Sequence, residues 1–331
     1  MKRRDLLRTL GAAGAWTTLG IRPSVAAPEP PPETTTLRLL RIGSICWAPQ
    51  YVAEELLHSE GFAQVMYPNM PSGPVSQHLT AGEADISMNF IAPNIIRLEL
   101  GDPVVFLAGV HVGCFELVGT DRVRQIRDLR GKTAAVESFG GPEHIFLSSI
   151  AAYVGLDPQK DIKWSTQPAS ESVRLLSEGK VDAFLGFPPT AQELRARKIG
   201  HVVVNSATDR PWSQYFCCLV TASREFVRKN PVATKRALRA ILKSADLCAS
   251  QPERAAQALV DKGYTPRFDY AFQVMKELSY GKWRDFDPED TIRFYALRLH
   301  EAGMIKSNPQ KIIAQGADWR FLNELRKELK I

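Results

Sequence analysis

No two of the five cysteines in this 331-residue chain form a CxxC pair. Cys46, Cys114, Cys217, Cys218 and Cys248 are odd in number and irregularly spaced. A zinc ribbon or a disulfide scaffold needs regular cysteine arithmetic, so neither is expected. Most of the five read as buried small apolar residues, with one disulfide left open. The six histidines (His58, His78, His111, His144, His201, His300) show no metal-ligand spacing along the chain. There is no Gly-x-Ser-x-Gly elbow, no His-Glu-x-x-His helix and no Gly-x-x-x-x-Gly-Lys loop. No catalytic residue, metal or cofactor is therefore expected. Basic runs interleaved with aromatics are also missing, so nucleic acid is not an expected partner.

Long apolar runs are missing too. The longest, Leu10–Ile21, falls short of the roughly 18 residues of a spanning helix. It follows Lys2, Arg3, Arg4 and Arg8 and precedes Ser24-Val25-Ala26. Charged start, short apolar middle and small-residue end read as a secretory leader over residues 1–26. The Arg3-Arg4 pair followed by Leu6-Leu7 resembles the twin-arginine variant, an export route that carries folded proteins and suits free thiols. The expected location is the periplasm. No cysteine stands at the cleavage site, which argues against a lipoprotein. Of the net charge of +6, the leader carries most, leaving a nearly neutral body. Residues 27–36, rich in proline, read as a stiff solvated linker.

What is present is alternation. β-rich runs at Leu37–Ile42, Gln64–Tyr67, Ile86–Phe90 and Val104–Ala108 are separated by amphipathic helical stretches, the pattern of parallel sheets covered by helices. From Glu225 onward the chain reads as almost wholly helical. The cationic stretch from Lys235 to Lys243 reads as a solvated helix face. A segment also repeats itself. Leu79-Thr-Ala-Gly82-Glu-Ala-Asp85 leads into Ile86–Phe90, and Leu176-Ser-Glu-Gly179-Lys-Val-Asp182 leads into Ala183–Phe187. Each copy reads as a helix ending at glycine, a turn through aspartate, a buried strand and a proline opening the next helix. Two α/β lobes of similar plan are expected.

In such sheets ligands bind beyond the carboxyl ends of the strands. Four loops fall there: Ser44–Pro49, Phe90–Asn94, Glu137–Pro142 and Phe187–Thr190. Each runs into a helix N-terminus, where free amides favour polar oxygens. Gly140 and Gly141 would let amides approach a ligand. Ser138 caps the helix or donates to the ligand. Trp47 and Phe187 wall the site or pack in the core. Asn94 caps a helix or binds ligand. His144 is structural or a ligand donor, and Gln77 and Glu116 are further polar candidates. None of the four loops contains Arg or Lys.

The leader, the LxxGExD stretch at Leu79–Asp85, the Leu129-Arg130-Gly131-Lys132 turn, the Ser138-Phe-Gly-Gly loop and Val181-Asp182-Ala183 with Pro188-Pro189 together resemble one family. It is the nitrate/sulfonate/taurine-type periplasmic solute-binding proteins of ABC importers, which share their fold with thiamine-pyrimidine synthases. The resemblance implies a type II periplasmic binding fold, with two doubly wound lobes, a hinge and a helical C-terminal part. Lobe one would hold 37–120 and 213–331, and lobe two 121–212. The hinge would lie at Gly119–Arg122 and Trp212–Tyr215. The family's ligand loops map onto Trp47, Asn94, Ser138, Gly140, Gly141 and Phe187, and Tyr215 beside the second crossing is a further candidate. The implied function is non-enzymatic: capture of a small solute, anionic or pyrimidine-like, for delivery to an ABC permease. A thiamine-pyrimidine synthase-like enzyme and a ligand-presenting sensory module are the alternatives. Cys217-Cys218 resembles the synthases' cysteine cluster.

Overall fold

Ten strands among the described residues set the architecture: β1 (Thr36–Arg38), β2 (Gln64–Met66), β3 (Ile86–Phe90), β4 (Val104–Val112), β5 (Glu116–Gly119), β6 (Thr133–Val136), β7 (Lys163–Thr166), β8 (Ala183–Gly186), β9 (His201–Asn205) and β10 (Phe216–Ser223). They come from a computed structural model that describes residues 29–70 and 73–329. The leader expected at 1–26 lies outside the described residues.

The strands form two sheets with the same plan. A bridge between Leu39 and Ile86 joins the β1–β2 ladder to β3, giving the order β2-β1-β3-β10-β4. The second sheet runs β7-β6-β8-β5-β9. In each, three parallel strands are followed by one antiparallel strand, β10 or β5, with an edge strand beyond it. The antiparallel strand is in each case the one the chain enters after crossing from the other sheet. β3, β4, β5 and β8 are buried along their whole length, as strands covered on both faces must be.

The sequence repeat sits at equivalent places. Helix Val75–Thr80 ends before Gly82 (φ 72°), and helix Ala169–Ser177 before Gly179 (φ 67°), the left-handed conformation that suits glycine. The repeated aspartates then do the same work. Asp85 accepts from the Arg38 amide at 2.8 Å and pairs with the Arg38 guanidinium at 2.6 Å. Asp182 accepts from the Thr133 amide at 2.8 Å and pairs with the Arg122 guanidinium. Asp85 thus clamps β1 to β3, and Asp182 clamps β6 to β8.

Several boundaries differ from expectation. β4 runs on to Val112, and β5 pairs with β8 and β9, so the first crossing lies at 113–115 rather than at Gly119–Arg122. The helical stretch between the first two β-rich runs is two short helices, Ala48–Tyr51 and Glu54–Ser59. The expected linker is part of the body from Pro31 onward. Glu33 accepts from the amides of Val232 (3.0 Å) and Ala233 (2.9 Å), capping helix Pro231–Ser250. That helix buries Ala237, Leu238, Ile241, Ala245 and Cys248 along one face. Its cationic face is paired rather than solvated: Lys235 reaches Glu324 at 2.9 Å, and Arg239 reaches Glu60 at 2.6 Å and Glu328 at 3.0 Å.

Candidate ligand-binding site

The two crossings between the sheets touch. Gly113 adopts φ 69°, and a Cβ there would meet the Ala207 backbone at 2.3 Å. Ser206 Oγ accepts from the amides of Cys114 (3.1 Å) and Phe115 (2.9 Å) and donates to the Phe115 carbonyl at 2.9 Å. This hydroxyl fastens the outgoing crossing to the returning one.

Beside the crossings, aromatic rings from both sheets and from the C-terminal helices pack in a chain. Phe187 meets Phe115 at 6.3 Å, Phe115 stacks on Phe146 at 4.9 Å, and Phe146 meets Trp212 at 5.4 Å. Trp212 meets Phe294 at 5.5 Å, and Phe294 stacks on Tyr215 at 3.9 Å. Phe90 and Tyr295 join from the side, 5.3 Å apart. Of the expected residues, Phe187 and Tyr215 are thus linked by this chain, and Asn94 adjoins it. Asn94 Nδ2 donates to the Phe90 carbonyl at 2.9 Å and to Asn89 Oδ1, while its buried Oδ1 has no partner. Trp47 is 4% exposed in the core, and its turn packs against helix Phe268–Glu277.

Ser138, Gly140, Gly141 and His144 form a separate cluster at the mouth of β6. Both glycine amides are used inside the loop: Gly141 donates to the Ser138 carbonyl at 3.2 Å and Gly140 to His144 Nδ1 at 3.3 Å. A Cβ at Gly141 would strike Ser138 Oγ at 2.2 Å, so glycine there lets the hydroxyl fold over the helix start. The Ser138 side chain does not cap the helix, and its residue is exposed. The His144 ring lies 4.0 Å from Phe139 and 4.4 Å from Trp164, and burial lowers its pKa to about 4. Next to it, burial and then the charge of Glu137 raise Glu143 to about 7. The loop therefore offers carboxyls and a neutral imidazole, and no cation.

Two cations near the seam are already engaged. Arg298, whose guanidinium lies 5.6 Å from the Phe294 ring, pairs with Glu301 at 2.7 Å. Arg195 pairs with Glu277 at 2.6 Å and lies 3.5 Å from Glu116, and Gln192 donates to Glu277 at 3.1 Å. Burial raises Glu116 to about 7, Arg195 opposing and Glu277 adding to the rise.

One group of residues was invisible as spacing along the chain. Cys46, His111 and Cys218 place their ligand atoms within 4.8 Å of one another. Cys114 and Cys217 lie beside them, sulfurs 3.0 Å apart. Burial alone would raise the Cys218 thiol, but hydrogen bonds from its thiol neighbours and the charge of His111 hold it well below the usual range. The five residues come from the turn after β1, from β4, from the first crossing and from β10, separations that no local motif signals.

Two sheets of equal plan, joined by paired crossings with strand ends turned to a common seam, define the periplasmic-binding-protein fold. The comparisons agree. The chain belongs to the NMT1-like family, whose pattern matches residues 30–260. The periplasmic nitrate-binding protein NrtA from Synechocystis PCC 6803 superposes with a TM-score of 0.76 at 16% identity, covering 91% of this chain and 90% of that one. A putative periplasmic sulfonate-binding protein, SsuA from Methylobacillus flagellatus KT, gives 0.67 at 20% identity, covering 90% and 95%. At these identities the likeness shows the fold alone. Among curated relatives, the 4-amino-5-hydroxymethyl-2-methylpyrimidine phosphate synthase THI12 of Saccharomyces cerevisiae is 23% identical over 235 residues, 66% of this chain. The match spans 65% of that relative's length.

Proposed function

We propose that the chain is the solute-capturing component of an ABC importer, exported by the twin-arginine route and working in the periplasm beside a permease. Its lobes are the two sheets with their covering helices, hinged at the paired crossings. Its solute is a small neutral or cationic aromatic heterocycle, pyrimidine-like, held by Phe187, Tyr215 and Asn94 along the seam, with the loop Ser138–Gly141 and His144 closing over it. One observation carries this choice: the strand-end loops hold no cation, while Glu137 and Glu143 sit at the β6 loop. A nitrate or sulfonate would meet carboxyls there, whereas a heterocycle would stack on rings and donate to the unpartnered Asn94 Oδ1. Entry requires the aromatic chain to part, so binding and hinge opening are coupled.

The test is a thermal-shift and calorimetric screen of aminopyrimidines and formylaminopyrimidines against nitrate, bicarbonate, taurine and alkanesulfonates. A ligand at a hundred times its Kd stabilises by about 2.7 kcal/mol, a clear rise in Tm. A response to the anions alone would overturn the choice of solute class. A second reading, a pyrimidine-forming synthase, is favoured by the match to the yeast enzyme and by the buried thiol cluster. Mass spectrometry for a pyrimidine product formed with pyridoxal phosphate and iron decides it.

A further inference from the structure

A fully buried histidine normally uses at least one ring nitrogen in a hydrogen bond. His111 is 0% exposed, and neither Nδ1 nor Nε2 has a partner. Cys46 is 2% exposed and Cys218 is 1% exposed, and the three ligand atoms lie within 4.8 Å. Zinc–sulfur bonds of roughly 2.3 Å and zinc–nitrogen bonds of roughly 2.0 Å put tetrahedral ligands nearly 4 Å apart, so small side-chain rotations close this set around an ion. The backbone is ready for it. His111 lies in β4 and pairs with Cys218 of β10, and Cys46 sits in the turn Ile45–Trp47, whose carbonyl at Cys46 accepts from Tyr280 Oη at 3.3 Å. Two thiols and an imidazole are soft and borderline donors, which select thiophilic d10 cations over magnesium or calcium.

We propose that Cys46, His111 and Cys218 form a metal site for a thiophilic d10 cation, Zn2+ or Cu+, at the base of the hinge. Both strands that carry ligands, β4 and β10, abut the crossings, and Cys114 and Cys217 flank the site as a separate dithiol. Binding releases the proton of the Cys46 thiol and the proton that His111 holds opposite the Cys218 sulfur; both leave to solvent, which frees an imidazole nitrogen to ligate. Three ligands suffice for Cu+, while Zn2+ takes a fourth from the flanking thiols.

The full-length protein is prepared reduced, its thiols counted, and titrated separately with Zn2+, with Co2+ as a coloured substitute, and with Cu+ delivered from a competing chelator. In parallel it is produced in zinc- or copper-supplemented medium and its metal content measured. One ion per chain is expected, with thiolate-to-cobalt charge-transfer absorbance and a higher Tm for the loaded protein. The zinc and copper arms identify the cation. Cys218→Ser and His111→Gln lose the ion, while Cys248→Ser, a buried cysteine in helix Pro231–Ser250, keeps it. A fully reduced protein that takes up no metal by either route overturns the proposal, as does retention by both site variants. If the variants fail to fold, X-ray absorption on the loaded wild type decides: a shell containing sulfur and one imidazole supports the site, and an oxygen and nitrogen shell without sulfur sinks it. No solute enters this experiment, so its outcome is separate from that of the solute screen.

Discussion

At the scale of single residues, Glu143 and His144 stand side by side with opposite electrostatic costs. Glu143 titrates near 7 in the fold against 4.5 for a free glutamate, because burial disfavours its charge. Its folded pKa is raised, so the protein is relatively more stable below 4.5 and loses that advantage as pH rises through 7. His144 titrates near 4 against 6.5, so its contribution is complete above 6.5 and is lost as pH falls toward 4. The two oppose each other, and Glu143→Gln exposes the histidine alone. Relative to the variant, wild-type stability should fall by on the order of 3 kcal/mol between pH 4.5 and pH 8, read from urea unfolding at a series of pH values. Parallel curves for the two proteins would mean that the carboxyl is solvated. The glycines of this loop show what sequence can and cannot convey. The spacing suggested amides free to meet a ligand, and Gly140 does adopt φ 76°, a conformation that suits glycine. That their amides would be consumed by Ser138 and His144 depends on side-chain direction, which spacing does not carry.

At the scale of elements, the repeat was the strongest sequence signal, and its helices, turns and buried strands lie where the pattern puts them. Helix-ending glycine, clamping aspartate and continuous burial all act within about ten residues, so local chemistry reports them. Long-range pairing reports nothing locally. Nothing between Val112 and Glu116 marks that the chain changes sheets, and the thiol–imidazole group draws on segments as far apart as Cys46 and Cys218. The start of the body shows the same limit. A proline-rich stretch reads as solvated, yet Glu33 within it caps a twenty-residue helix. Burial works against its charge, but the Val232 and Ala233 amides hold its pKa below the usual value. Glu33→Ala should cost about 1 kcal/mol, the ordinary value of an N-cap, seen as a lower urea midpoint at unchanged m. Glu33→Asp, which keeps the carboxylate but shortens its reach, should cost less. Equal stability of Glu33→Ala and wild type would return the segment to the status of a linker.

At the scale of the whole molecule, the question is what holds the two sheets together before a solute arrives. Helix Thr190–Ala196 follows β8 of the second sheet, and helix Phe268–Glu277 packs on the turn Ile45–Trp47 of the first. Arg195 and Gln192 of the former both bind Glu277 of the latter. Arg195 and Glu277 are partly exposed, so their ion pair alone is weak, while Gln192 is buried. Their position gives them leverage, because they join bodies that are otherwise tied by the crossings and the aromatic seam. Arg195→Gln with Gln192→Ala removes both donors and leaves the seam intact. A compact chain of this size has a radius of gyration of roughly 20 Å. Small-angle scattering of the double variant should give a larger radius than wild type, and added solute should restore it. The apparent solute affinity should fall in proportion to the lost population of the closed form. Unchanged scattering with only a lower Tm would show that the cluster stabilises its own surroundings and has no part in closure. Ser206→Ala separates the two ideas further. It loosens the junction of the crossings without touching Glu277, and should lower Tm while leaving the scattering radius unchanged.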